Sequence, residues 1–324
     1  MLIKKLISLF CFIWLINLST FIFFSIHLNL PKNEDDYVLY FKESGKDLKY
    51  LISKCLNSAN KSIFISSFGI NDNDILNILE SKALSLPIKI AYDPKEHNLL
   101  PQGKNVELNS YSKQGLMHRK LVAIDNELLL LGSTNLTPLA LKIHKNLIVC
   151  IRSKELYSAI IENQTLLRKN YSFYPLPHTK DLALKTLLQE LDSAKNRIYL
   201  CIYTFTHVAL SEALIAAKNR GVDVRIYIDK GMARGTCKKI ITLLKANKVF
   251  IASHLGGGLL HHKCALIDDT FVFGSLNWTK AAFSKNEEYL LFLKSLSPNE
   301  LKQINNFFSH VHKSSLLLSP SSVM

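Results

Sequence analysis

The sequence predicts an α/β protein of two similar halves, each a mostly buried mixed sheet flanked by helices. Apolar runs of strand length alternate with segments of helix length through both halves. Two stretches recur, since residues 59–68 parallel residues 194–203 and residues 88–93 parallel residues 224–229. A pattern of His-x-Lys followed by Asp also occurs twice. We therefore expect a pseudo-twofold repeat with one copy of this pattern in each half.

Residues 1–33 are predicted to be a membrane anchor or a signal segment. Residues 6–30 hold no Asp, Glu, Lys or Arg, so this run is long enough to span a bilayer as a helix. Lys4 and Lys5 precede the run, and the positive-inside tendency then places the N-terminus in the cytoplasm and the rest of the chain outside it. A cleaved signal peptide is the alternative, and the protein would then be secreted.

The two halves are predicted to occupy residues 34–172 and 173–313. Each half reads as helix, strand, helix and strand, and then the His-Lys-Asp pattern. In the second half, residues 210–220 form a predicted helix that ends at Gly221, with apolar strands on both sides. Halves that pack side by side would bring both copies of the pattern to their junction, where sites for small ligands are common.

The boundary between the halves is predicted near residues 171–178, where Pro175 and Pro177 interrupt the apolar pattern. The last residues, 314–324, are rich in Ser and are predicted to be a flexible tail.

The repeated pattern has the form H-x-K-x-x-x-x-D, and each copy is followed by Gly-Ser-x-Asn. A single copy would be only a hint of function, whereas two copies with matching trailers are not accidental. The candidate catalytic residues are His118, Lys120, Asp125, His261, Lys263 and Asp268. The two trailers add Ser133, Asn135, Ser275 and Asn277 as candidate binding residues.

The pattern has a physical basis on a strand. Residues 121–124 and 264–267, between each Lys and Asp, are apolar and indicate buried strands. Side chains two residues apart on a strand project from the same face, so each His lies beside a fixed cation. Phosphodiester cleavage needs positive charge on the phosphoryl oxygens, a group that attacks phosphorus and a group that protonates the leaving oxygen. One copy provides half of that machinery.

At these residues the chain resembles the phospholipase D superfamily, over most of residues 37–312. The resemblance implies that both motifs meet on one phosphate, that one His attacks phosphorus to form a phosphohistidine, and that the other protonates the departing alcohol and then activates water. It makes His118 the nucleophile and His261 the acid, although the similarity of the two copies leaves the assignment open. It implies no metal and no cofactor.

The resemblance also implies roles for the remaining candidates. Both lysines and both asparagines are expected to hold the nonbridging phosphoryl oxygens, with the two serines assisting. Glu288 is expected to orient a catalytic His, whereas residues 146–148 of the first half hold no acidic counterpart. Asp125 and Asp268 are included as organising charges rather than as bases, and capping of turns is their open alternative.

The formal net charge is +14, from 40 basic and 26 acidic residues, which favours anionic partners. This balance does not distinguish nucleic acid from an anionic membrane surface. The six cysteines have neither metal-ligand spacing nor a disulfide framework, so the sequence predicts no zinc site.

The leading functional prediction is hydrolysis of phospholipid head groups at a membrane surface, which leaves phosphatidic acid. Cleavage of nucleic acid by an endonuclease, or transfer of the phosphatidyl group to another alcohol, would use the same chemistry. A membrane-tethered protein that only binds phosphate is the non-enzymatic alternative. No obligate protein partner is implied, since one chain carries both motifs.

Overall fold

The computed structural model describes residues 28–318, and its strands form two sheets. The first sheet has seven strands in the order β1-β7-β6-β5-β2-β3-β4. Its strands are β1 (Tyr37–Phe41), β2 (Ile63–Ser67), β3 (Ile88–Tyr92), β4 (Val106–Ser110), β5 (Lys120–Ile124), β6 (Leu128–Gly132) and β7 (Leu147–Arg152).

The second sheet has nine strands in the order β16-β12-β11-β10-β13-β14-β15-β9-β8. Its strands are β8 (Leu166–Leu167), β9 (Tyr171–Leu176), β10 (Arg197–Ile202), β11 (Asp223–Ile228), β12 (Phe250–His254), β13 (Lys263–Ile267), β14 (Thr270–Gly274), β15 (Glu288–Leu293) and β16 (Ser315–Leu317).

The two sheets share one topology, which confirms the predicted repeat. If β10 is matched to β2, the next strands match in turn and β9 takes the place of β1, so the order of seven strands is identical in both halves. In each half the three strands that start from β2 or β10 are parallel, and the other four are antiparallel. Only β8 and β16, at the two edges of the second sheet, have no counterpart.

The helices of the described residues are α1 (Leu48–Asn57), α2 (Asn73–Ala83), α3 (Pro138–Lys142), α4 (Lys154–Glu162), α5 (Lys180–Ser193), α6 (Val208–Asn219), α7 (Lys230–Arg234), α8 (Lys238–Ala246), α9 (Lys280–Ser284) and α10 (Pro298–Lys313), with a short 3₁₀ helix at Lys42–Ser44. Polar side chains begin several of them. Thr137 and Thr279, which follow the two Gly-Ser-x-Asn trailers, each accept a hydrogen bond from the third residue beyond and so cap α3 and α9.

The sheets pack face to face, because alternate residues of each central strand point to opposite faces. Leu121 and Ala123 of β5 join an apolar core that both sheets share, together with Leu266 and Phe271 of the second half. The residues between them, such as Val122, face the helices of their own half. Helices α4 and α10 also join the shared core, through residues such as Leu156 and Phe307, while the other helices cover the two outer faces of the sheets. The strands next to the motifs are therefore buried on both faces.

Two predicted boundaries differ from the structure. Strands β8 and β9 already belong to the second sheet, so β7 is the last strand of the first sheet in chain order. The boundary between the halves therefore lies before Leu166 rather than near residues 171–178. Pro175 lies inside β9, where it faces Tyr289 of β15. Its lack of an N–H is tolerated because β8, on the other side, pairs only with Ser172 and Phe173.

The predicted flexible tail is also corrected in part. Residues 315–317 form β16, which pairs with β12 through Ala252, Ser253 and His254, whereas residues 319–324 lie outside the described part of the chain. The predicted anchor at residues 1–33 lies almost wholly outside it as well. Within residues 28–318, no helix is long and apolar enough to cross a membrane.

Candidate active site

Both motifs lie at one edge of the paired sheets, as their strands require. His118 precedes β5 and Ser133 follows β6, and since these strands form an antiparallel pair, the start of one lies beside the end of the other. The same holds for His261 and Ser275 at β13 and β14. Backbone hydrogen bonds then join the halves, because the N–H of His118 donates to the Glu287 carbonyl at 2.9 Å and that of His261 donates to the Lys145 carbonyl at 2.9 Å.

His118 is oriented by a carboxylate of the other half. Its Nδ1 lies 2.7 Å from Oε1 of Glu288, and a carboxylate only accepts, so Nδ1 donates the proton. The Glu288 side chain is fully buried, and the Ser275 hydroxyl donates to its second oxygen at 2.5 Å. Glu288 thus lies where it can hold the His118 ring in one orientation, and Nε2 of His118 is left for chemistry.

His261 is oriented by neutral groups. Its Nδ1 lies 3.0 Å from the Ser133 carbonyl and 3.0 Å from the Asn146 side-chain oxygen. The Ser133 hydroxyl donates to that same oxygen at 2.7 Å, and the Asn146 amide donates to the Ala140 carbonyl. Asn146 therefore stands where Glu288 stands in the other half, and His261 has the same ring orientation without a negative charge beside it.

The electrostatic neighbours of the two histidines differ accordingly. Burial lowers the pKa of His118, and Glu288 opposes this effect while Lys120 adds to it. Burial also lowers the pKa of His261, to well below its ordinary value, and Lys263, Lys120 and His118 all act in the same direction. Without substrate, His261 is therefore neutral at neutral pH.

Lys120 and Lys263 are buried, and each ammonium group contacts a backbone carbonyl and an aromatic ring. The Lys120 ammonium donates to the His118 carbonyl at 2.6 Å and that of Lys263 donates to the His261 carbonyl at 2.8 Å. Each also lies over a ring, Phe68 for Lys120 at 5.5 Å and Tyr203 for Lys263 at 5.2 Å. These rings follow β2 and β10 at equivalent positions of the repeat.

Burial lowers the pKa of Lys120 to about 7, with Glu288 acting in the opposite direction. Burial, followed by the charge of Lys120, lowers the pKa of Lys263 well below its usual value. Two cations held close together in a dry site repel each other, and an anion between them would relieve that repulsion. The arrangement is suited to a phosphate group.

Asp125 and Asp268 do not join this cluster. Each follows the far end of a five-residue strand that begins at the motif lysine, which places it about 16 Å from the site. The Asp125 carboxylate accepts from three consecutive backbone N–H groups, at residues 60–62, and that of Asp268 accepts from those at residues 195–197. The prediction that Asp125 and Asp268 belong to the catalytic residues is therefore corrected, because both carboxylates lie away from the site and accept from the backbone of a turn.

The trailer residues divide into two groups. Ser133 and Ser275 donate their only hydroxyl proton to Asn146 and Glu288, so neither has a proton left for a phosphate oxygen, which corrects their predicted role. Asn135 and Asn277 are half-buried, and within the described residues neither side-chain NH₂ makes a hydrogen bond. These amides stay candidates for phosphate binding.

Several positioning residues were missed by the sequence reasoning. The Tyr289 hydroxyl donates to the Lys120 carbonyl at 2.7 Å and accepts from the Gly132 N–H at 2.7 Å, so it ties the first motif to the second half. Asp93 and Asp229 accept from the N–H of the residue before each motif histidine. These two aspartates end the repeated segments 88–93 and 224–229, so the repeat itself held the signal.

Arg119 and His262, the residues between His and Lys in the two motifs, each contact a buried carboxylate of the other half. Arg119 donates to Glu287 at 2.9 Å, and the ring of His262 lies 2.8 Å from Glu43. Within residues 28–318, no group of three or more His, Cys, Asp or Glu side chains is placed to hold a metal ion.

The geometry so far defines a two-motif α/β protein with a paired-histidine, paired-lysine site at the junction of its halves. Residues 52–164 and 187–312 match the family described as cardiolipin synthase, PLD-like domain. These stretches cover more than half of the chain, so the protein belongs to this family of phospholipase D-like proteins. The resemblance read from the motifs is confirmed.

Relatives with curated names match a smaller part. A mitochondrial cardiolipin hydrolase of Xenopus laevis is 39% identical over 118 residues, which are 36% of this chain and 55% of that protein. A phospholipase D of Rickettsia typhi is 31% identical over 126 residues, which are 39% of this chain and 61% of that protein. The chain thus spans about half the length of the curated relatives it matches.

The fold has a counterpart among solved structures. The crystal structure of phosphatidylserine synthase from Haemophilus influenzae superposes with a TM-score of 0.68 over 90% of this chain and 88% of that one. Its sequence identity is 14%, so this likeness concerns the fold alone.

Proposed function

We propose that the protein is a phosphodiesterase of the phospholipase D type that hydrolyses phospholipid head groups through a phosphohistidine. The observation that carries the proposal is the pair His118 and His261, which lie close enough to interact electrostatically. Each has Nδ1 held by an acceptor and Nε2 left, beside two buried lysines. The names of the curated relatives, cardiolipin hydrolase and phospholipase D, support a lipid substrate.

His118 is the nucleophile in this proposal. Its Nε2 lone pair attacks phosphorus while the bond from phosphorus to the head-group oxygen breaks. The ring becomes positively charged as the phosphorus–nitrogen bond forms, and Glu288 is the anion that stabilises this charge. Lys120, Lys263 and the two trailer asparagines hold the nonbridging oxygens.

His261 is the acid and then the base. A phosphodiester anion between Lys120 and Lys263 offsets the two cations that lower the pKa of His261, so the substrate itself favours the protonated ring. The Nε2 proton passes to the departing alcohol oxygen. The neutral ring then removes a proton from water, the resulting hydroxide attacks phosphorus, and the bond to His118 breaks to release phosphatidic acid.

The cellular location remains part of the proposal. We propose that residues 1–33 anchor the protein in a membrane with the folded part outside the cytoplasm, and that a cleaved segment would give a secreted form. An enzyme tethered in this way meets phospholipid at high effective concentration.

The test uses the full chain in detergent mixed micelles, with chelator present. Labelled phosphatidylcholine, phosphatidylethanolamine and cardiolipin are assayed beside single-stranded DNA, with His118→Ala and His261→Ala as inactive variants and the exposed His310→Ala as matched control. We expect a lipid cleavage product that both motif variants lose and the control keeps. Cut DNA with intact lipid would identify a nuclease instead, and no product from any substrate would favour a phosphate-binding protein.

A further inference from the structure

The two sides of the active site have equivalent backbones but opposite surfaces. In each half, the loop before the motif histidine packs on the turn after the short helix of the other half. Gly258 lies so close to Ile143 that a Cβ would meet its carbonyl oxygen at 2.8 Å, and Gly115 lies in the same way against Lys285, at 2.2 Å. Both glycines have positive φ, at 80° and 103°, so both loops need glycine here.

The side next to His261 carries aliphatic side chains. Leu139 and Ile143 lie one helical turn apart and are 58% and 48% exposed, and Leu255 opens the facing loop and is 53% exposed. Gly258 is the third residue after Leu255, which keeps Leu255 within about 11 Å of the Ile143 contact. We call Leu139, Ile143 and Leu255 the apolar lip.

The side next to His118 is different at the matching positions. Ala281, Lys285 and Ser112 occupy the places of Leu139, Ile143 and Leu255, and all three are exposed. We call these residues the polar lip. Because the repeat fixes the backbone of both sides, the contrast lies in the side chains alone, and packing of the fold does not require an aliphatic surface at the apolar lip.

We propose that the apolar lip enters the acyl region of a bilayer that contains anionic phospholipid, and so presents His261 and its partner to head groups at the membrane surface. The inference rests on the proposed phospholipase function, whose substrate it places in a membrane. Exposed aliphatic side chains next to a site are typical of a surface that binds apolar material.

Charge supports an anionic bilayer as the occupant. Lys142 lies between Leu139 and Ile143 in sequence and is exposed, and Lys113 and Lys285 are exposed on the opposite side. Cations around an apolar insertion surface attract anionic head groups, and the net charge of +14 adds to this attraction. The apolar lip has no aromatic ring, which single-stranded nucleic acid would use for base stacking.

The first experiment locates the apolar lip by fluorescence, with no turnover required. An environment-sensitive fluorophore is attached at Leu255→Cys in the full chain, reconstituted into vesicles of phosphatidylcholine with phosphatidylglycerol. Ser112→Cys, at the matching place on the polar lip, is the control, and Leu84→Cys marks a distant exposed site. Cys55, Cys150, Cys201, Cys237 and Cys264 are buried, and the unsubstituted chain, labelled in parallel, gives the background.

We expect the probe at position 255 to shift to shorter wavelength and to be quenched by lipids with nitroxide on the acyl chain, while probes at 112 and 84 stay in water. A probe at 255 that stays in water would overturn the proposal. So would one that is already shielded in detergent-free buffer without vesicles, because another part of this chain would then cover the apolar lip.

The second experiment compares two triple variants. Leu139→Ser, Ile143→Ser and Leu255→Ser together remove the apolar lip, and Leu84→Ser, Leu167→Ser and Leu182→Ser remove three leucines that are also exposed. We expect the ratio of cleavage rates on vesicles and on mixed micelles to fall about tenfold or more for the first variant and to be unchanged for the second. An equal ratio in both would count against the apolar lip.

The two proposals fail in different ways. Insertion of the probe without cleavage of lipid in vesicles or micelles would remove the proposed function and leave the apolar lip as a membrane-binding surface. Cleavage of vesicle lipid without insertion of the probe would keep the function and remove the apolar lip.

Discussion

The two halves of this protein share a strand order and a motif, yet each gives the histidine of the other a different partner. The second half supplies Glu288 to His118, and the first half supplies Asn146 to His261. The surrounding hydrogen bonds match, because Ser275 donates to Glu288 as Ser133 donates to Asn146. One side-chain difference in a repeated frame is thus enough to make two imidazoles chemically unequal.

The largest effect is expected from the histidines themselves. His118→Ala removes the proposed nucleophile and should lower kcat by about 10⁴-fold or more. His261→Ala should be as slow on lipids with alcohol head groups, but a nitrophenyl phosphodiester needs no acid to release its leaving group. We therefore expect a burst of nitrophenol in His261→Ala and none in His118→Ala, measured by stopped flow. The opposite pattern would exchange the two roles.

Substitution of the residues that orient the two histidines, Glu288 and Asn146, should lower kcat less, and by unequal factors. Glu288→Gln removes the charge that stabilises the His118 ring and permits the wrong tautomer, so kcat should fall about 10²-fold to 10⁴-fold. Asn146→Ala leaves the Ser133 carbonyl to hold His261, and the loss should be about tenfold. Steady-state kinetics on one lipid would compare them, and equal losses would argue against unequal roles.

The pH dependence of kcat should change when Asn146 is replaced by an acidic residue, as at Glu288 in the other half. Asn146→Asp puts a carboxylate beside His261, and because an adjacent anion favours the protonated ring, the pKa of His261 should rise. The proposed acid is active when protonated, so the alkaline limb of the kcat profile should move to higher pH. The profile of Asn146→Ala, which adds no charge, is the control, and an unmoved limb in Asn146→Asp would contradict the assignment.

The smallest effect on catalysis, and an equal one in both halves, is expected at the motif aspartates. Asp125→Asn and Asp268→Asn weaken three charge-assisted backbone hydrogen bonds each, so the free energy of unfolding should fall by about 1 kcal/mol per variant. Cleavage rates of the folded protein should stay near wild type, whereas a large loss of kcat without a loss of stability would return these residues to the site.

The contribution of Asp268 to the free energy of unfolding should depend on pH, because its surroundings change the pKa of its carboxyl group. Burial raises the pKa of Asp268, but the N–H groups of residues 195–197 outweigh this effect and lower it overall. A lowered folded-state pKa means that the stabilisation is present above the unfolded pKa and is lost as the pH falls through the folded value. The difference in unfolding free energy between wild type and Asp268→Asn should therefore shrink in acid.

Much of this arrangement could be predicted from the sequence, and for a clear reason. A strand places His and Lys two residues apart on one face, and the repeat brings two such strands to one edge, so His118, Lys120, His261 and Lys263 followed from spacing. Glu288 followed from the family resemblance.

Other features depend on contacts that no local pattern contains. Asn146 and Tyr289 reach the opposite half, and a neutral amide in place of a carboxylate gives no signal of its own. Pro175 looks like a break in the sequence pattern, because the strand position that tolerates it is set by pairing with distant strands. The motif includes Asp125 and Asp268 with the site residues, although a strand places each of them at its far end.

We infer from the contact with Glu288 that His118 is the nucleophile. The most direct test mixes His261→Ala with a nitrophenyl phosphodiester and stops the reaction without acid, which would hydrolyse a phosphohistidine. Peptides of the protein are then analysed by mass spectrometry. We expect a phosphoryl adduct on His118 that is absent from the His118→Ala variant. An adduct at any other residue, or a burst with no adduct at all, would contradict it.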